Sequence, residues 1–175
     1  MKASRGSIFL ETVIYINTSI VILFLVYSIV YFSLEVYRKN MAMCEMKEIS
    51  EVVEDRIRYE IKNSMGIDSI KTLSLETSDQ EYTKNGYSKA SKILYTSNKI
   101  DDIKNDNVLN LGERKNISIK RNNIYVGRLG EYQIGNYVKN LYVKEKNINK
   151  KTVICFIIVY EIEKYKYVSS FYVYI

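Results

Sequence analysis

Residues 6–34 read GSIFLETVIYINTSIVILFLVYSIVYFSL, and this stretch decides what kind of protein the chain encodes. From Thr12 to Leu34 there are 23 residues without a charge. A helix of that length rises about 34 Å, which is enough for a hydrocarbon core of about 30 Å. The stretch therefore predicts a membrane-spanning helix. A cleaved secretory signal fits less well, because its apolar region is usually about 7 to 15 residues long and ends in small residues.

One carboxylate, that of Glu11, lies near the start of this apolar stretch. Ile8, Phe9 and Leu10 precede it, so the apolar region begins before the charge. A position at the level of the lipid headgroups is one explanation. The other is a partner of opposite charge, because an ionised carboxylate inside a bilayer costs a few kcal/mol unless it is paired.

The first six residues, MKASRG, form a short leader that carries Lys2 and Arg5 and ends in Gly6. A cut after Gly6 would expose a new amino group on Ser7, four residues before Glu11. This arrangement resembles the amino terminus of the type IV prepilins and pseudopilins. The signature of that family is a brief basic leader, a glycine before the cut, a glutamate at the fifth mature position and about twenty apolar residues. Ser7 departs from the phenylalanine that is usual at the first mature position, which leaves methylation of the new terminus open.

The resemblance implies a processing site between Gly6 and Ser7 and an assembly role for Glu11. In the family, this glutamate is thought to meet the terminal amine of a neighbouring subunit as the neighbour joins a filament, so that each charge offsets the desolvation cost of the other. The implied partners are other pilin subunits, a prepilin peptidase, the cytoplasmic membrane and a membrane assembly platform. The protein would span the cytoplasmic membrane once, with its carboxyl-terminal domain outside, and would then enter an extracellular or periplasmic filament.

The apolar stretch continues into a second, amphipathic segment. No Gly or Pro interrupts the chain from Ile8 to Lys62, which predicts one helix of roughly 55 residues. Apolar side chains spaced by three and four residues give this segment one apolar stripe. The stripe consists of Met46, Ile49, Val53, Ile57 and Ile61. A coiled-coil stalk is the alternative, although the stripe is short for several heptads.

The remaining sequence divides by composition. Residues 64–116 are rich in Ser, Thr, Asn, Asp and Lys and predict a variable loop region, with edge-strand candidates at SIKTLSLE and KILYTS. Residues 117–175 predict an antiparallel sheet. It would begin with a hairpin that turns at Asn122 and Asn123, since asparagine accepts positive φ.

Three later runs complete the predicted sheet. YVKNLYVKEK places Val138, Leu141 and Val143 in a strand, and KTVICFIIVY is nearly all apolar, as a central strand would be. YVSSFYVYI alternates and places five side chains on one face. These are Tyr167, Ser169, Phe171, Val173 and Ile175.

The sequence therefore predicts an α+β fold, in which the second half of a long N-terminal helix packs on a C-terminal antiparallel sheet, as in the lollipop of the pilin family. The expected segments are a prepilin leader, a transmembrane and assembly helix, an amphipathic continuation of that helix, the variable loop region and the sheet. They cover residues 1–6, 7–34, 35–63, 64–116 and 117–175, respectively.

The composition argues against catalysis. The 175 residues include no His and no Trp, which removes the commonest general base and the commonest metal ligand. No nucleophile elbow, phosphate-binding glycine loop or metal motif is present, and no catalytic, cofactor or metal site is expected. Cys44 and Cys155 fit no metal spacing, and small buried hydrophobes are favoured over a disulfide between them.

The favoured function is a structural subunit of a type IV pilus, or of a type II secretion or competence pseudopilus, in a minor or priming role. One alternative is a filament-tip module that contacts DNA or a surface, because residues 111–175 carry 12 basic and 5 acidic side chains. Another is a plain single-pass anchored protein that never polymerises.

Overall fold

The structure, a computed structural model, describes residues 5–73, 80–97, 112–128, 132–148 and 151–175. These residues form two helices and eight strands. In chain order they are α1 Arg5–Lys62, β1 Ser64–Thr72, α2 Gln80–Lys84, β2 Ser88–Ser97, β3 Glu113–Lys120, β4 Asn123–Gly127, β5 Tyr132–Gly135, β6 Val138–Ile148, β7 Lys151–Ile162 and β8 Tyr165–Tyr174.

The predicted long helix is confirmed. α1 is a single helix of 58 residues that begins at Arg5, three residues before the predicted start. It ends at Lys62, where the backbone and side-chain nitrogens of Asn63 both donate to the carbonyl of Tyr59, at 3.1 and 2.8 Å. These bonds satisfy a carbonyl that has no partner within the helix. The chain divides into two compact units, Met1–Met41 and Ala42–Ile175.

The predicted α+β fold and antiparallel sheet are also confirmed. The strands form one sheet in the order β5-β4-β3-β2-β6-β7-β8, and β1 pairs with β2 as well. Every pairing among the described strands is antiparallel. The consecutive strands β7 and β8 are joined by a short turn at Glu163 and Lys164, as antiparallel neighbours allow.

The apolar stripe of α1 supplies the helical side of the core in the unit Ala42–Ile175. Met46, Val53, Ile57 and Ile61 are fully buried, and Ile49 packs against the same cluster. Burial of each such side chain contributes about 1.5–3 kcal/mol. The helix spacing predicted from the sequence therefore identifies the residues that hold the helix on the sheet.

Three apolar residues of the predicted strand β6 are likewise buried. Val138, Leu141 and Val143 all face the core, although a strict alternation would place Val138 and Leu141 on opposite faces. The register shifts between Val138 and Asn140, and this irregularity brings both side chains to the same side.

The two faces of β7 explain its nearly continuous apolar sequence. Phe156 and Ile158 belong to the core beneath α1, while Val153 and Val159 on the alternate face are also buried. On the neighbouring strand β6, the ring of Tyr142 stacks at 4.4 Å on Tyr82 of α2, so the short helix covers part of this second face.

The described residues of 64–116, predicted as a loop region, instead form β1, α2, β2 and the start of β3. The candidate KILYTS lies in β2, but β2 pairs with β1, β3 and β6 and is therefore not an edge strand. Of the candidate SIKTLSLE, Ser69–Thr72 lie in β1, and its last three residues lie outside the described residues. Ile93, Tyr95 and Ser97 of β2 are buried at every second position, and the half-exposed side chains of Leu94 and Thr96 lie between them. A strand with this alternation has a polar average composition, which is why composition indicated a loop.

The hairpin between β3 and β4 turns one residue earlier than predicted. Lys120 pairs with Asn123, so the loop residues are Arg121 and Asn122, with φ of 49° and 62°. A two-residue hairpin loop of this type needs positive φ at both positions. Asn123 is the first residue of β4 and not part of the turn.

The cysteines differ in environment. Both are free thiols, and Cys155 is half-buried, whereas Cys44 is exposed. The prediction of a buried hydrophobe is therefore wrong for Cys44, because this residue lies outside the apolar stripe of α1.

Arg58 protects the edge of β8, which among the described strands pairs only with β7. The nitrogen of Ile175 donates to the carbonyl of Thr152 at 2.9 Å, so by the alternation of an antiparallel ladder the carbonyl of Tyr172 faces away from β7. Nη1 of Arg58 donates to that carbonyl, and Glu54 holds the same guanidinium at 2.6 Å. The helix thus covers part of an edge that would otherwise be available to another strand.

Two buried tyrosines provide a test of the core. Tyr95 donates to Oε2 of Glu60 at 2.9 Å, whereas the hydroxyl of Tyr160 has no hydrogen-bond partner in the described chain. Burial raises the pKa of Tyr160, and the nearby carboxylate of Glu54 adds to the increase.

Tyr95→Phe is expected to lower the free energy of unfolding by about 1–3 kcal/mol, because it removes a donor from a buried carboxylate. Tyr160→Phe is its matched control and should be neutral or slightly stabilising, since it removes a polar group that has no partner. Thermal unfolding of the full chain in detergent micelles, followed by circular dichroism, measures both changes. Equal destabilisation by the two substitutions would contradict this account.

Candidate functional site

The residues predicted for processing lie in the first turn of α1. The helix begins at Arg5, so Gly6 and Ser7 are helical, and the bond between them belongs to a turn whose amides have no partner within the helix. Glu11 follows four residues after Ser7, on the same face of the helix and about 6 Å further along the axis. Lys2 lies outside the described residues.

Glu11 has one hydrogen-bond donor in the structure. The hydroxyl of Tyr15 donates to its Oε1 at 3.3 Å, from one turn further along the helix. Among the residues whose side chains the structure describes, no cation forms an ion pair with Glu11. Its other carboxylate oxygen remains available for a positive group.

The apolar side chains of the first half of α1 are exposed throughout. Their exposed fractions run from 72% at Phe9 to 39% at Val36. A continuous apolar surface of this extent is rare on a soluble monomer and marks a membrane or protein contact. By length and composition, this helix can cross a membrane, and it is the one such helix among the described residues. This agrees with the predicted single-pass anchoring.

Three hydroxyl side chains within this half of α1 bond to the helix itself. Thr12 donates to the carbonyl of Ile8 at 2.9 Å, and Thr18 donates to that of Ile14 at 2.8 Å. Ser28 makes the same bond to Phe24 at 2.8 Å. Because each hydroxyl has an internal acceptor, these residues are compatible with a lipid environment.

A second candidate site, which the sequence did not predict, lies in the unit Ala42–Ile175. It is a cleft of about 360 Å³ between α1 and the β3-β4-β5 part of the sheet. We refer to it as the charged cleft. Its polar lining consists of Arg56, Glu60, Glu113, Lys115, Arg128 and Tyr132.

Two ion pairs cross the charged cleft or border it. Arg56 contacts Oε1 of Glu60 at 2.7 Å, and Arg128 lies 3.4 Å from Oε1 of Glu113. Only the first pair had a signal in the sequence, since Arg56 and Glu60 are four residues apart on a helix. The other polar lining residues come from β3, from the residue after β4 and from β5.

No group of three or more His, Cys, Asp or Glu side chains that could hold a metal ion occurs in the described part of the chain. Comparison of the chain with protein-family models, with curated proteins and with solved structures finds no match. The resemblance to prepilins therefore depends on the amino-terminal residues and their spacing.

Proposed function

We propose that this chain is a structural subunit of a type IV pilus, or of a type II secretion or competence pseudopilus. The observation that carries the proposal is the position of Glu11. It is a carboxylate near the start of a helix whose first half exposes its apolar side chains and carries no further charge before Glu35. Ser7, in place of the usual phenylalanine, favours a minor or priming role.

The first step of the proposed mechanism is hydrolysis of the bond between Gly6 and Ser7 by a prepilin peptidase. Water supplies the oxygen of the new carboxylate on Gly6, and Ser7 is left with an α-amino group that is protonated near neutral pH. The leader leaves with Lys2 and Arg5. The mature chain then begins with a positive charge, four residues before Glu11.

The second step is charge pairing between subunits. Before assembly, the hydroxyl of Tyr15 and the chain's own terminal amine are the groups nearest to Glu11 that can offset its desolvation. Within a filament, the amine of a neighbouring subunit takes that place. Because an unpaired charge in an apolar bundle is strongly unfavourable, only the register that pairs each carboxylate with an amine is stable.

The exposed apolar surface of α1 supplies the rest of the assembly energy. In the membrane it contacts lipid tails, and in the filament it contacts the same surface on neighbouring subunits. The unit Ala42–Ile175 has its own core and would form the part outside the cytoplasmic membrane. The assembly platform that extracts the helix is a further partner of this proposal.

Intact mass of the membrane-bound protein tests the proposal. In cells that contain a prepilin peptidase, we expect a chain that begins at Ser7, with or without one added methyl group. In matched cells without the peptidase, the chain should keep the leader MKASRG. A chain that begins at Met1 in both strains would contradict processing, and would favour the plain anchored protein.

DNA contact at a filament tip is less well supported by the geometry. The basic side chains of the charged cleft alternate with Glu60 and Glu113, whose carboxylates would find no hydrogen-bond donor on the phosphodiesters of a nucleic acid. A minor subunit of the filament remains the function that the described residues support best.

A further inference from the structure

We propose that the charged cleft binds a sugar that carries a carboxylate, such as a uronic acid residue. This inference concerns the unit Ala42–Ile175 alone and does not depend on processing or filament assembly. It derives from three properties of the cleft: an incompletely engaged guanidinium, carboxylates that accept hydroxyl groups, and an exposed aromatic ring.

The guanidinium of Arg128 would bind the carboxylate of the sugar. The side chain of Arg128 is 74% exposed, and its Nε lies 3.4 Å from Oε1 of Glu113. This distance is longer than the roughly 2.7–2.9 Å of a charge-assisted hydrogen bond. A planar guanidinium binds a carboxylate through two parallel hydrogen bonds. The backbone at Arg128 is held in place, because the side-chain amide of Asn116 donates to its carbonyl at 3.1 Å.

The carboxylates of the cleft fit the hydroxyl groups of a sugar. Each sugar hydroxyl is both a donor and an acceptor, so a lining with acids and bases side by side can satisfy both functions. Glu60 is 5% exposed and is fixed from two sides, by Tyr95 at 2.9 Å and by Arg56 at 2.7 Å. A phosphodiester has no donor for Glu60 or Glu113, which favours a sugar over a nucleic acid.

Tyr132 supplies a flat apolar surface at the cleft. It lies on the edge strand β5, and 67% of its surface is exposed. An exposed tyrosine presents an apolar ring face and a polar hydroxyl together. The C–H face of a pyranose ring can stack on such a ring while its substituents reach the charged groups. The cleft, at about 360 Å³, lies at the lower end of the usual range for ligand pockets, which fits one sugar unit.

The test uses the full chain in detergent micelles and two probes that differ only in the carboxylate, glucuronic acid and glucose. Saturation-transfer NMR should detect glucuronic acid and should give at least tenfold weaker binding of glucose. Arg128→Gln should weaken binding of glucuronic acid at least tenfold, and Tyr132→Ala should weaken it as well. Both residues are exposed, so these substitutions should leave the circular dichroism spectrum unchanged.

Arg114→Gln is the matched control. Arg114 is exposed on β3 between Glu113 and Lys115, so its side chain points to the opposite face of the strand. The control removes the same charge as Arg128→Gln and should not change binding. Equal binding of glucose and glucuronic acid, no binding of either, or equal weakening by Arg114→Gln would overturn the proposal. So would preferential binding of inorganic phosphate or of a short DNA oligomer.

Discussion

Replacement of Glu11 with alanine is expected to leave the protein in the membrane and to reduce its incorporation into filaments at least tenfold. In the proposed assembly, this substitution leaves the terminal amine of a neighbouring subunit without its counter-charge. A charged side chain at the centre of a membrane helix costs about 2.5–3.5 kcal/mol on insertion scales, and about 1.4 kcal/mol corresponds to a factor of ten. The amounts of protein in sheared filaments and in membranes, compared by immunoblot, measure the effect.

Three further substitutions separate the causes of that effect. Glu11→Gln keeps the hydrogen-bonding capacity but not the charge, and should reduce incorporation as Glu11→Ala does. Glu35→Ala removes an acid at the other end of the same apolar run and should have little effect. Tyr15→Phe removes the one donor seen on Glu11 and should cause a smaller loss, since the charge pair remains. Incorporation of Glu11→Ala at the parental level would refute the pairing.

Gly135→Ala is expected to destabilise the unit Ala42–Ile175 by about 1–3 kcal/mol, the range for overpacked cores. A Cβ atom at Gly135 would lie 2.4 Å from Cγ2 of Val53 and 3.3 Å from Cγ2 of both Ile49 and Ile124. Val53 is fully buried and β-branched, so it has few alternative rotamers. To remove the clash with Val53, β5 would have to move away from α1. Thermal unfolding of the full chain in detergent micelles measures the loss.

A double-mutant cycle identifies the contact responsible. Val53→Ala alone removes two methyl groups from the core and should cost about 2 kcal/mol. In combination with Gly135→Ala, it makes room for the added methyl group. The double mutant should therefore lose less free energy of unfolding than the sum of the two single-mutant losses, by at least about 1 kcal/mol. Additive losses would show that the two positions do not meet as described.

The length of the long helix and its buried face were predictable because the sequence signals for both are strong and local. Absence of Gly and Pro from Ile8 to Lys62 gave the length of α1, and the spacing from Met46 to Ile61 gave its buried face. The length depends on the absence of helix-breaking residues. The buried face depends on the period of the helix, which is the primary pattern in a sequence. The apolar run of β7 likewise indicated an interior strand, and β7 does pair on both sides, although it lies next to the edge strand β8 and not at the centre of the sheet.

The strands β1 and β2 were less predictable because half of each faces outward. In β2, Ile93 and Tyr95 face the core while Lys92 and Thr96 are half-exposed, so the mean polarity resembles that of a loop. The alternation itself was visible at KILYTS, but a short run does not show which strands it will pair with. That pairing is set by contacts with β3 and β6, which are distant in the sequence.

The charged cleft could not be predicted at all. Glu60 belongs to α1, Glu113 belongs to β3 and Arg128 follows the end of β4, and no spacing in the chain connects them. Such a site exists only once the sheet has closed against the helix. The amino-terminal site is the opposite case, because its residues are adjacent and a single helical turn fixes their geometry.

The order of the elements along the chain also has a consequence for biosynthesis. The apolar stripe of α1 ends at Ile61, and Phe171, one of the side chains that complete its core, follows about 110 residues later. At about 5–20 residues per second, a ribosome needs roughly 5–20 s to make that interval. During that interval the stripe belongs to an amphipathic helix that has no sheet to pack against. The surface of a bilayer can bind the apolar face of such a helix. Folding of the unit Ala42–Ile175 is therefore expected to finish only after translation has passed β8.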